Sequence, residues 1–172
     1  MKQQGTPGFG VVLRRRLKEA RRIAVVGTGD EFSPVDRLGM VAAQEIEKLH
    51  LPNVRVFFAG TMPESMTGPL REYQPDHVLF LDAADMGARP GMIAVIKPGK
   101  IRADLLSTHV LPLSVVMGYV EQDLKTSVTL LGIQPDLSRH VSGQPDGAPE
   151  YLERNLAYLS RILKDIGNKK AP

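Results

Sequence analysis

The sequence predicts a three-layer α/β/α fold, in which a five-stranded, mostly parallel but mixed and twisted sheet carries helices on both faces. Two observations predict it. Short β-branched and apolar runs alternate along the chain with segments of helical period, the pattern of an open α/β sheet. One link, DAADMGARPG at 82–91, is too short for a crossover helix, which makes one strand antiparallel and points to a hairpin between the third and fourth strands. A chain of 172 residues fits one domain with a full hydrophobic core. Residues 1–8 (MKQQGTPG) are expected to be a disordered N-terminus and 9–172 a single domain, with no internal repeat or boundary.

Each element has its own signal. Residues 10–21 place Leu13, Leu17 and Ala20 at helical spacing. IAVVG (23–27), closed by the loop TGD, reads as a buried first strand. From Asp36 the period changes: Leu38, Ala42, Ile46 and Leu49 share a helical face until Pro52-Asn53 ends the helix. VRVFFAG (54–60) is the second strand, and 63–74 a weaker helix that Gly68-Pro69 should distort. HVLFLD (77–82) is the third strand, four apolar residues closed by a carboxylate. MIAVIK (92–97) is the fourth. Pro112 suits the first turn of a helix over 112–124, with Leu113, Val116, Met117, Val120 and Leu124 on its face. SVTLLGI (127–133) is the fifth strand, 134–149 a long loop, and 150–166 a helix striped by Leu152, Leu156, Leu159 and Leu163.

Composition narrows the function classes. The chain is 42% hydrophobic and 24% charged, as a globular protein is. It has no cysteine, which excludes disulfides, thiolate metal sites and a cysteine nucleophile. No apolar run spans a bilayer, no secretory signal is evident, and a cytoplasmic location is expected. The net charge of +3 is uneven: residues 1–22 hold seven basic residues and one acid, and the remainder is mildly acidic. The basic segment reads as a solvated helix face rather than a nucleic-acid surface.

In an open α/β sheet, ligands bind beyond the carboxyl ends of the strands. Asp36 follows the first strand, Asp82 ends the third, and His109 lies between the fourth strand and the next helix. Two carboxylates and an imidazole can hold a divalent metal with positions left for water or substrate. The intervals, 46 and 27 residues, form no local motif, so only the fold can assemble them. Each also has a plain structural reading: Asp36 as a helix cap, Asp82 as a solvated or paired strand end, His109 as a surface or capping residue. His50, His77 and His140 read as structural or surface residues, and Asp85 as a turn former. Gly27-Thr28-Gly29 begins a GxG, but Phe32 stands where a dinucleotide fingerprint needs its third glycine. No GxxxxGK[ST], GxSxG or HExxH is present.

Four ordered segments resemble the nickel–iron hydrogenase maturation proteases, over about 22–166. VVGTGDEFSPVDRLG (25–39) is similar to the family's first loop and acidic helix start. LDAADMG followed by PG, within 78–96, resembles the branch serving formate-hydrogenlyase and energy-converting hydrogenases. STHVLPLS (107–114) matches a Thr-His segment, and LLGIQPD (130–136) a Gly-Ile-Gln-Pro strand end. The resemblance implies that Asp36, Asp82 and His109 are the nickel-binding and catalytic positions. It implies as partner the nickel-loaded precursor of a hydrogenase large subunit, which supplies the nickel and loses a C-terminal extension after a His or Arg. It also suggests a monomer. Asp30, Val35 and Arg37 depart from the family's Asn, acid and Gly, and Arg37 beside a metal opposes cation binding unless its side chain turns outward.

Two other functions use the same scaffold. One is a metal-dependent hydrolase of small molecules. The other is a non-enzymatic regulator binding a nucleotide or phosphate at 27–30, against which the acids Asp30 and Glu31 argue.

Overall fold

The computed structural model describes residues 8–97, 112–138 and 147–168. His109, His140 and all of the expected disordered N-terminus except Gly8 lie outside them. Helix α1 (Phe9–Arg16) ends with Arg14, Arg15 and Arg16 in its last turn, where cations favour the helix dipole. It is shorter than the 10–21 expected from spacing, because the amides of Arg21 and Arg22 both donate to Asp76 Oδ2 at 2.8 Å. Leu17 and Ala20 are nonetheless buried, so their spacing marks a turn folded into the core rather than more helix.

Strand β1 (Ile23–Thr28) is buried along its whole length. It leads through a loop to α2 (Leu38–Glu47), then β2 (Val54–Gly60). The weak helix expected at 63–74 is two pieces, a 3-10 turn (Pro63–Met66) and α3 (Thr67–Tyr73). The break moves Pro69 into the first turn of α3, where its missing N–H costs no helical bond. Strands β3 (His77–Ala83) and β4 (Ile93–Ile96) follow, then α4 (Leu113–Leu124), β5 (Ser127–Ile133) and α5 (Glu150–Asn168).

The five strands lie in the order β2-β1-β3-β5-β4, parallel except that β4 runs against β5. The mixed sheet is as expected; the hairpin is not. β5 separates β3 from β4, and the link between those two strands crosses the end of β5, with Ala84 N donating to Ile133 O (2.9 Å) and Gly91 N to Gln134 O (2.8 Å). Burial explains the arrangement. The run Leu130–Ile133 is buried and takes an interior place, whereas the four-residue β4, half-buried past Ile93, can serve as the edge.

Two apolar layers flank the sheet. On one face Leu13, Leu38, Ile46, Leu152, Leu159 and Leu163 from α1, α2 and α5 pack against Val25, Leu79, Leu81 and Leu131. On the other, Leu70, Leu113, Val116 and Val120 from α3 and α4 pack against Val26, Val78, Phe80 and Leu130. This is the α/β/α sandwich that the sequence predicts. No helix among the described residues is long and apolar enough to cross a membrane.

Candidate active site

Strand order sets the position of the site. From β1 the chain passes over α2 to β2; from β2 it returns by α3, on the opposite face, to β3 on the far side of β1. The connections leaving β1 and β3 therefore diverge, and it is at such a reversal that an open α/β sheet forms its ligand crevice. Asp36 stands on the connection leaving β1, and Asp82 near the end of β3. The structure thus brings together the ends of chain that carry these two residues. Among the described residues no three His, Cys, Asp or Glu side chains form a metal-binding group, and His109 lies outside that set.

Both carboxylates are buried, Asp36 to 1% exposure and Asp82 to 7%. Such burial is costly unless the charge is compensated by hydrogen bonds or a cation. The cap position of α2 is held by Arg37, and no side-chain hydrogen bond caps this end of the helix. Asp36 Oδ2 accepts the N–H of Asp30 at 2.9 Å, closing the loop that carries it. Asp30 in turn accepts the N–H of Phe32 on Oδ1, also at 2.9 Å. The anion-binding alternative meets a structural objection in this loop. Gly29 N donates to Gly60 O and Ser33 N to Asp30 O, so the amides of 29, 30, 32 and 33 are all engaged within the protein.

Two glycines set how closely the parts approach. A Cβ on Gly29, whose φ is +117°, would lie 2.0 Å from the Asp36 carbonyl oxygen. A Cβ on Gly39 would lie 2.2 Å from the Leu81 carbonyl oxygen and 2.4 Å from that of Thr28. The first turn of α2 therefore rests directly on the ends of β1 and β3. The buried Thr28 hydroxyl ties those strands together by donating to Leu81 O at 2.9 Å. Arg37 does not turn out to solvent; it is 8% exposed and engaged within the fold, so its charge counts against a cation at the adjacent Asp36.

Sequence reasoning missed Gln134. Only 2% exposed, it follows β5 and places its side chain beneath the loop after Asp82. Its Oε1 accepts the N–H groups of Met86 (2.6 Å) and Ala88 (3.2 Å). Asp85 is the turn former expected, accepting the Gly87 N–H at 3.0 Å, and it also receives Gln134 Nε2 at 3.2 Å. A polar residue directly after four apolar ones, in LLGIQP, was the available signal. His77 proves structural: buried at the amino end of β3, its Nε2 lies 2.9 Å from Thr129 Oγ1. Burial, aided by Arg16, pushes the imidazole down to about 4.

The family model described as hydrogenase maturation protease matches residues 40–144. A Methanocaldococcus jannaschii protein named as a hydrogenase maturation protease is 30% identical over 134 residues, 73% of this chain and 79% of its own length. The chain belongs to the hydrogenase maturation protease family. The hydrogenase 3 maturation protease of Escherichia coli is 33% identical over 110 residues, covering 63% of this chain and 70% of that one. In three dimensions the chain is similar to the nickel–iron hydrogenase maturation protease HycI of Thermococcus kodakarensis. The TM-score is 0.74 at 28% identity, over 91% of this chain and 99% of the other. This membership makes the protein an endopeptidase.

Proposed function

We propose that this protease removes the C-terminal extension of a nickel-loaded hydrogenase large-subunit precursor, reading the substrate's nickel with Asp36, Asp82 and His109. The observation that carries the reading is the burial of Asp36 and Asp82 at the ends of chain leaving β1 and β3, where the strand order reverses. Carboxylate and imidazole donors suit a divalent metal of this kind. α4 runs back toward the start of β5, so Pro112, at its other end, lies on the carboxyl side of the sheet. His109 is three residues from Pro112, a chain reach of roughly 10 Å.

In this reading the precursor's nickel, held between the two carboxylates and the imidazole, polarises the scissile carbonyl or activates a water. One of the two carboxylates accepts the proton of the attacking water. Water adds to the carbonyl carbon, the C–N bond breaks, and the proton passes to the departing amine. Loops 60–64, 85–91 and 132–136 wall the cleft around the precursor's tail. The likeness to the hydrogenase 3 protease supports a substrate of the formate-hydrogenlyase or energy-converting type. The working form is a cytoplasmic monomer.

The test is processing of a nickel-loaded precursor by Asp82→Asn and His109→Ala. Both variants should fail to release the extension. Wild-type rates from each would refute the site assignment.

A further inference from the structure

We infer that Gln134 is a positioning residue of the protease: its amide fixes the loop at 85–88 in the geometry the precursor requires. The inference rests on the reading of Asp82 as part of the site, because that loop begins three residues beyond it.

The loop has no regular structure, and residues 87–90 are exposed, so its amides need specific acceptors to hold one shape. Two side chains supply them. Gln134 Oε1 takes the N–H groups of Met86 and Ala88, and Asp85 Oδ1 takes that of Gly87 between them. Gln134 Nε2 donates to Asp85 Oδ1 at 3.2 Å and to Pro135 O at 3.3 Å. A primary amide has two acceptor positions and two donor hydrogens, and here all four are used. The main chain of the same residue holds the far end of the loop, with Gln134 N donating to Met92 O at 2.9 Å and its carbonyl accepting from Gly91 N at 2.8 Å. One buried residue thus fixes an exposed loop at both ends. A filler of the core needs only volume; this arrangement needs an acceptor and a donor on one head.

Gln134→Glu separates the two roles. It keeps the volume and the acceptor, but when ionised it presents an oxygen without a proton to Asp85 and to the Pro135 carbonyl. Among the described residues, Asp85 is the ionisable group hydrogen-bonded to this amide. Burial and the neighbouring carboxylate raise the pKa of the introduced group, and its protonated form restores one donor.

The experiment measures kcat and KM on nickel-loaded precursor from pH 5.5 to 8, each as a ratio to wild type, for Gln134→Glu and Asp82→Asn. At pH 7.5 Gln134→Glu should lose about 100-fold in kcat, the scale of an ångström-sized misplacement, with KM changed less than about threefold. The ratio should recover as pH falls. A wild-type kcat at pH 7.5, or a loss that does not vary with pH, overturns the inference. Asp82→Asn should be inactive throughout; if it works at the wild-type rate, the underlying site reading fails whatever Gln134 does. Amide exchange of the wild-type protein decides the matter if the variant does not fold. Protected amides at Met86, Gly87 and Ala88 support the inference, and free exchange at all three overturns it.

Discussion

Gly39 of α2 lies against the carbonyl oxygen of Leu81, so close that a Cβ would stand 2.2 Å from it. This contact joins the helix that follows Asp36 to the strand that carries Asp82, and the spacing of the two carboxylates depends on it. Gly39→Ala must push backbone away from backbone, since no flexible side chain is there to yield. The expected cost is about 3 kcal/mol in denaturant unfolding, with slower processing per folded molecule. A Cβ on Gly118, inside α4, would meet nothing within 4 Å. Gly118→Ala should therefore stabilise the fold by about 0.5–1 kcal/mol. Equal effects from the two changes would contradict the close approach.

His77 predicts a pH dependence of stability. Its folded pKa is about 4, against 6.5 for an unperturbed imidazole, with burial the main cause and Arg16 second. Between those values the unfolded chain binds a proton that the folded chain does not. This contribution to stability is complete above about pH 6.5 and falls as pH drops toward 4, by about 3 kcal/mol in all. Denaturant unfolding from pH 7 to pH 4 checks it. His77→Gln should flatten the curve, and an unchanged slope in that variant would assign the effect to other groups.

Asp36→Asn and Asp82→Asn test charge without changing shape. Asn at 36 can still accept the Asp30 N–H, so the loop should stay closed and the melting temperature should change little. Processing should nonetheless fall by at least about 100-fold in each variant. A large drop in melting temperature with wild-type activity per folded molecule would make both residues structural.

Much of the fold was legible because local signals and global packing agree. IAVVG and HVLFLD look like buried strands, and as β1 and β3 they are fully buried. The link after Asp82 was too short for a helix, which gave the antiparallel strand. Its neighbour was not legible, since a ten-residue link can reach β3 or pass over β5 equally well. α1 ended early because Asp76, far along the chain, captures the amides of Arg21 and Arg22. For the candidate site, Asp36 was legible as the residue opening the segment after β1 and Asp82 as the carboxylate closing the apolar run of β3, and the strand order sets β1 and β3 side by side. Gln134 was legible only as a polar residue closing the apolar run LLGI; its bonds to residues 46 to 49 positions away follow no spacing rule.

If these carboxylates read nickel in the substrate, cleavage must depend on that nickel. Nickel-containing and nickel-free large-subunit precursors are incubated with the protease, and the products are weighed by mass spectrometry. Only the nickel-containing form should lose its C-terminal extension. Cleavage of both forms at the same bond and rate would contradict that dependence.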